Sequence, residues 1–101
     1  MYKAIILPSA KSDIEEAAVW YQKAKDGLGK KFTNEIRNKV GIICRNPLIF
    51  VIGYKTVRTA TLTNFPFLIH YQIDTHLKTI LIIAVLHTSR NPEMWSERIR
   101  E

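Results

Sequence analysis

Apolar residues recur at helical spacing as far as Asn46-Pro47 and at strand spacing beyond it. A chain whose period changes once in this way keeps its helices and its sheet in separate stretches, which is the mark of an α+β domain. Ahead of the change, Ala10, Ile14, Ala17, Tyr21 and Ala24 form one helical stripe, with Lys11, Glu15, Gln22 and Lys25 on the opposite side. Asp26-Gly27 breaks that helix, and Phe32, Ile36, Val40 and Ile43 mark a second. Two helices joined so tightly pack as an antiparallel hairpin. Ser9 is the expected N-cap of the first, and Ser12-Asp-Ile-Glu15 offers a competing capping box one turn later. Gly41 lies inside the second helix at a cost of about 1 kcal/mol relative to alanine, which a close contact there would explain.

A short apolar segment, Tyr2 to Leu7, precedes the helices and is closed by Pro8, as a strand entering a helix would be. After Pro47, Arg58, Ala60 and Leu62 alternate with Val57, Thr59 and Thr61 in a strand over Lys55 to Leu62. Phe67, Ile69, Tyr71 and Ile73 alternate with Leu68, His70 and Gln72, and Asp74 to Lys78 supplies a turn. Thr79 to His87 is apolar on both faces, as a central strand requires. Asn91-Pro92 opens a short terminal helix with Arg98 and Arg100 near its negative end. The expected fold is an N-terminal strand and a helix hairpin packed on one face of a twisted antiparallel sheet, with a short C-terminal helix. The other face is then left as the working surface.

At 101 residues the chain is expected to form one domain over residues 1–101. Hydrophobic residues at 47% and charged residues at 24% exclude a disordered chain. Cys44 is the only cysteine, so no internal disulfide forms, and its place in an apolar helical pattern reads as a buried, inert thiol. The N-terminus is too short in apolar residues for a signal peptide, and no run reaches membrane length, so a cytoplasmic location is expected. The formal charge of +6 attracts polyanions, such as nucleic acid or an acidic protein segment, or else serves solubility.

Ala10-Lys-Ser-Asp-Ile14, Trp20-Tyr21, Asn46-Pro47, Val57-Arg58, Phe65-Pro-Phe-Leu-Ile-His-Tyr71 and Val85-Leu-His-Thr-Ser-Arg-Asn-Pro92 follow one another in an order that resembles RelE/ParE-type toxins of type II toxin–antitoxin systems. The resemblance covers nearly the whole chain. It implies a growth-arresting toxin that pairs with a cognate antitoxin, whose extended or helical tail wraps it in a hetero-oligomer. RelE-like members cut messenger RNA on the ribosome without a metal, whereas ParE-like members poison DNA gyrase by protein contact. A member that binds its antitoxin without harming the cell is a third possibility. No cofactor or membrane partner is implied.

Metal-free RNA cleavage needs a base, an acid and cationic donors around one phosphate. The candidates are His87 as acid–base group, Arg58 and Arg90 as phosphate donors, and Lys55, Tyr71 and Trp95 as substrate- or partner-binding residues. Each has a structural alternative: His87 can cap the strand end, Arg58 can pair with Glu93 or Glu97, and Trp95 can pack onto the sheet beside Met94 and Ile99. His70 and His76 lack metal-ligand spacing, and no metal site is expected. Leu68 stands where RelE-type members often place an arginine, and Thr88 near where they place another. Unless Arg58 and Arg90 substitute for them, loss of two phosphate donors weakens transition-state stabilisation by several kcal/mol and favours the ParE-like reading.

Overall fold

A computed structural model describes residues 1–89 of the protein. The elements are β1 (Lys3–Ile6), α1 (Pro8–Ala24), α2 (Leu28–Arg45), β2 (Ile52–Tyr54), β3 (Val57–Thr61), β4 (Phe67–Asp74) and β5 (Thr79–His87). The five strands form one sheet in the order β1-β5-β4-β3-β2. The meander β2 to β5 is antiparallel throughout, but β1 lies parallel to β5, so the sheet is mixed where a wholly antiparallel one was expected. The cause is parity. Each of the six connections between the seven elements reverses the chain, and an even number of reversals brings β5 back in the direction of β1.

β5 is flanked on both sides, which accounts for its apolar character, although β4 holds the geometric centre of the sheet. Strand β2 is three residues long and contains Gly53, too little alternation for its sequence to announce it.

Helix α1 starts two residues earlier than expected. Pro8 occupies the first turn, where its fixed φ suits the helix and its missing N–H costs nothing. Leu7 is the N-cap and provides no side-chain cap, while its own amide continues the sheet ladder by donating to the Ile82 carbonyl at 3.0 Å. Ser9 therefore lies within the helix and caps nothing there, and the Ser12-to-Glu15 capping box is interior as well.

The turn between the helices uses Gly27 at φ 87°, a left-handed conformation that glycine adopts without strain. Gln22 Oε1 accepts from the amides of Gly27 at 3.0 Å and Gly29 at 3.3 Å, tying the turn back onto α1. The close helix approach falls at Gly29, where a Cβ would sit 2.6 Å from the Ala18 carbonyl oxygen. Gly41, expected to mark such a contact, faces only the Arg45 guanidinium at 3.7 Å.

The helices cover one face of the sheet. Phe32 is fully buried at the centre, with ring centroids of Phe65 and Phe67 each 5.1 Å away and Tyr21 at 5.4 Å. Burial of a side chain of this size stabilises the fold by about 2–3 kcal/mol. Ala10 and Ala17 let α1 approach β5 closely. Cys44 is buried in the same core, and burial raises its thiol pKa, consistent with an inert role.

The opposite face departs from the expected open surface. Val57, Ile83, Ala84 and Leu86 form a second buried cluster there, joined by Leu7 and Tyr54. His70 is also fully buried on this side, its Nδ1 3.0 Å from the Tyr54 hydroxyl. Between the pairs His70–Ala84 and Tyr71–Ile82, Ile83 is an extra residue in β5, a bulge that shifts the strand's alternation.

Candidate functional site

Past Ile82 the edge of β5 facing β1 has no strand partner, because β1 pairs with β5 only that far. Helix α1 supplies partners there instead. Ser9 Oγ donates to the Ile83 carbonyl at 2.9 Å, and Asp13 Oδ2 accepts from the Val85 amide at 3.0 Å. The two side chains are four residues apart, one helical turn, so they reach successive groups along the strand edge. Asp13 and Ser9 thus anchor the strand that delivers His87.

His87 projects from the end of β5 into a groove of about 520 Å³ between α1 and the β4–β5 edge. Asp13, Glu16, Trp20, Pro66 and Phe67 contribute to its lining. The His87 ring meets Phe67 edge-on at 5.3 Å, and its Nδ1 accepts from the Ser89 amide at 3.0 Å. The latter is the strand-end cap named as the alternative to catalysis. Trp20 is 66% exposed and rests edge-on against Tyr21 at 5.2 Å. Its exposure had a trace in the sequence, since it lies off the apolar stripe; the role of Asp13 had none.

The remaining candidates are elsewhere. Arg58 is half-buried, and its guanidinium donates to the Phe50 carbonyl at 2.6 Å, a backbone partner and not the carboxylate expected. It lies opposite Tyr71 in the β3–β4 pairing, whereas His87 lies opposite Phe67 in the β4–β5 pairing. That register separates them by about 13 Å along the strands and about 10 Å across two strand spacings. Antiparallel pairing therefore does not bring Arg58 and His87 to one phosphate.

Tyr71, named as a substrate- or partner-binding residue, is fully buried beneath the helices, where its hydroxyl donates to the Pro47 carbonyl at 2.7 Å. Burial pushes its pKa up to about 12, against the opposing pull of Arg58, so the phenol remains protonated and occupied. Lys55 is exposed at φ 49° in the turn between β2 and β3, before the strand it was expected to begin. Arg90, Trp95, Met94 and the terminal helix lie outside the described residues, as do Glu93 and Glu97. Leu68, at the place assigned to a missing arginine, sits between Thr61 and Leu86 in the sheet.

Among the described residues, no three His, Cys, Asp or Glu side chains are grouped to hold a metal ion. Among them also, no helix is long and apolar enough to cross a membrane.

The family model described as "ParE toxin of type II toxin-antitoxin system, parDE" matches residues 4–92. No curated protein sequence matches the chain. Among solved structures, the chromosomal ParDE system of P. aeruginosa aligns with a TM-score of 0.74 at 19% identity, covering 86% of this chain and 96% of that one. The intact E. coli RelBE toxin-antitoxin complex aligns with a TM-score of 0.67 at 15% identity, covering 89% of this chain and all of its counterpart (100%). The isolated E. coli RelE toxin aligns at 0.66 and 17% identity, covering 96% and 94%. At these identities the structural likeness is one of fold, and it extends to both branches alike.

Proposed function

The chain belongs to the ParE toxin family of type II toxin–antitoxin systems, and on that premise we propose that it arrests growth by binding DNA gyrase and not by cutting messenger RNA. The observation that carries this reading is the setting of His87. The one acid–base candidate placed among the described residues shares its groove with Asp13 and Glu16, and Arg58 lies two strands away. A guanidinium two strands away cannot stabilise the charge that develops on a phosphate held at His87. A binding toxin needs no such convergence.

A cognate antitoxin completes the proposal. The ParDE and RelBE structures that share this fold are toxin–antitoxin systems, and a basic toxin of net charge +6 favours an acidic partner. Gyrase and antitoxin place the action in the cytoplasm.

The test is a supercoiling assay with purified gyrase and increasing amounts of the toxin. Supercoiling is expected to fall as toxin approaches and exceeds gyrase. Undiminished supercoiling at toxin excess, together with new 5′ ends in translated messages after induction, would establish the endonuclease instead. Normal growth during verified soluble expression would leave only antitoxin binding.

A further inference from the structure

Helix α1 lines the groove beside His87 with Asp13, Glu16 and Trp20, spaced three and four residues apart and therefore on one helical face. Trp20 is 66% exposed, and among the described residues it is the one Phe, Tyr or Trp that is exposed at all. Aliphatic side chains scattered at a surface need no explanation, but an exposed indole at the rim of a groove is the residue type that most often anchors a contact. Its T-shaped contact with Tyr21, at 5.2 Å and 87°, holds the ring in place. Pro66, Phe67 and Leu86 line the sheet side of the groove. That wall is firm: Phe67 pairs with His87, and the Thr88 amide donates to the Pro66 carbonyl at 2.9 Å. A groove of about 520 Å³ is in the size range of sites that enclose a small ligand or one long side chain.

The charge here runs against that of the whole chain. Of fifteen Lys and Arg none lines the groove among the described residues, whereas two of the nine Asp and Glu do. Glu16 is exposed, and Asp13, half-buried behind it, is the residue that holds the Val85 amide. We propose that the groove receives an arginine side chain from a basic segment of a partner protein, its guanidinium lying on the Trp20 ring and pairing with Glu16. One guanidinium reaches both, because the two residues are one helical turn apart. Its planar face stacks on the negative face of an indole, and its edge donates in a fork to a carboxylate. The aliphatic stem would lie along Phe67 and Leu86. Such a partner is distinct from an acidic antitoxin, and the inference does not depend on gyrase as target.

Other occupants fit less well. A nucleic-acid base would stack on Trp20, but the described lining has no Lys or Arg to hold its phosphates. An aliphatic side chain would strip water from Glu16 without replacing its hydrogen bonds. A lysine would pair with Glu16, yet has no planar face to lay on the indole.

The experiment titrates the isotope-labelled full chain with a blocked hexapeptide alternating glycine and arginine, following backbone amide and indole resonances. The net charge of +6 disfavours this peptide over most of the surface, so binding at the groove is diagnostic. Shifts concentrated at residues 13–20, 66–67 and 86–87 and at the Trp20 indole are expected. Trp20→Ala should weaken binding about fivefold. Glu16→Gln, an independent and milder change, should weaken it about threefold. Both side chains lie in solvent, circular dichroism verifies the fold, and Glu16→Gln alone carries the test if Trp20→Ala does not fold. Binding that both variants leave intact, shifts centred elsewhere, or no binding at millimolar peptide would overturn the proposal. Equal binding of a glycine–citrulline hexapeptide, which keeps the shape and removes the charge, would do so too. Tighter binding of a ten-residue uridine oligomer at the same residues would assign the groove to nucleic acid instead. A concentration-dependent dimer lost in the same variants would assign it to a second copy.

Discussion

Asp13 Oδ2 accepts a hydrogen bond from the Val85 amide at 3.0 Å, joining a helix side chain to a strand backbone 72 positions away. With Ser9 on the Ile83 carbonyl, it replaces the strand partner that β5 loses beyond Ile82. A hydrogen bond to a charged acceptor of this kind contributes about 1.5–3 kcal/mol. Asp13→Ala should lower unfolding free energy in urea by that order and speed hydrogen exchange at the Val85 amide. A loss below about 0.5 kcal/mol would show the contact to be dispensable.

Tyr71 links stability to alkaline pH. Its pKa rises from 10.0 to about 12 on folding, so the native state holds the phenolic proton more tightly. The associated stability is fully present below the unfolded value and is lost as pH climbs through the folded one. Unfolding curves should therefore show destabilisation between about pH 10 and pH 12 that Tyr71→Phe diminishes. At neutral pH the same variant should cost about 1 kcal/mol, through loss of the bond to the Pro47 carbonyl.

The two glycines of α2 should respond in opposite senses. Gly29→Ala places a Cβ 2.6 Å from the Ala18 carbonyl oxygen and forces the helices apart. Overpacking of this type costs about 1–3 kcal/mol. Gly41→Ala meets nothing closer than 3.7 Å. It should stabilise the protein by about 0.5–1 kcal/mol through helix propensity. Thermal denaturation of both variants checks the pair, and equal signs would contradict the packing described.

Glu35 on α2 holds the β3–β4 connection, accepting from the Thr63 and Asn64 amides and from the Asn64 side chain at 3.1 Å. The site is exposed, so Glu35→Ala should reduce global stability by only about 0.5–1.5 kcal/mol. Amide exchange at Thr63 and Asn64 should accelerate well beyond that at Ile69, which separates a local clasp from a general loss of stability.

His87→Ala offers a test of mechanism in cells. A toxin that acts by contact should still halt growth, since the variant removes one ring contact with Phe67 and the cap on Ser89. The stability cost should stay near 1 kcal/mol. Abolished toxicity in a protein of unchanged fold and abundance would return His87 to a catalytic role.

Much of the architecture was legible in local pattern. The stripe Phe32, Ile36, Val40 and Ile43 marks the face that α2 presents to the core, and Phe67, Ile69, Tyr71 and Ile73 mark the face of β4 beneath it. These readings hold because helix and strand geometry turn sequence spacing directly into direction. The same alternation shows which residues share a side, but says nothing about distance between strands. Arg58 and His87 were legible as cations of the sheet, and their separation emerged only from the register that places one opposite Tyr71 and the other opposite Phe67.

Spacing along the chain was enough to specify the helix hairpin, the strands β3 to β5 and the core face each presents, because those depend on contacts between near neighbours. Packing across the whole molecule settled the rest: the parallel seat of β1, the bulge at Ile83, the duty of Ser9 and Asp13, and the bond from the Tyr71 hydroxyl to Pro47. Each of these joins residues far apart in the chain, so its free energy exists only once the sheet has closed, and no local period can carry its signature.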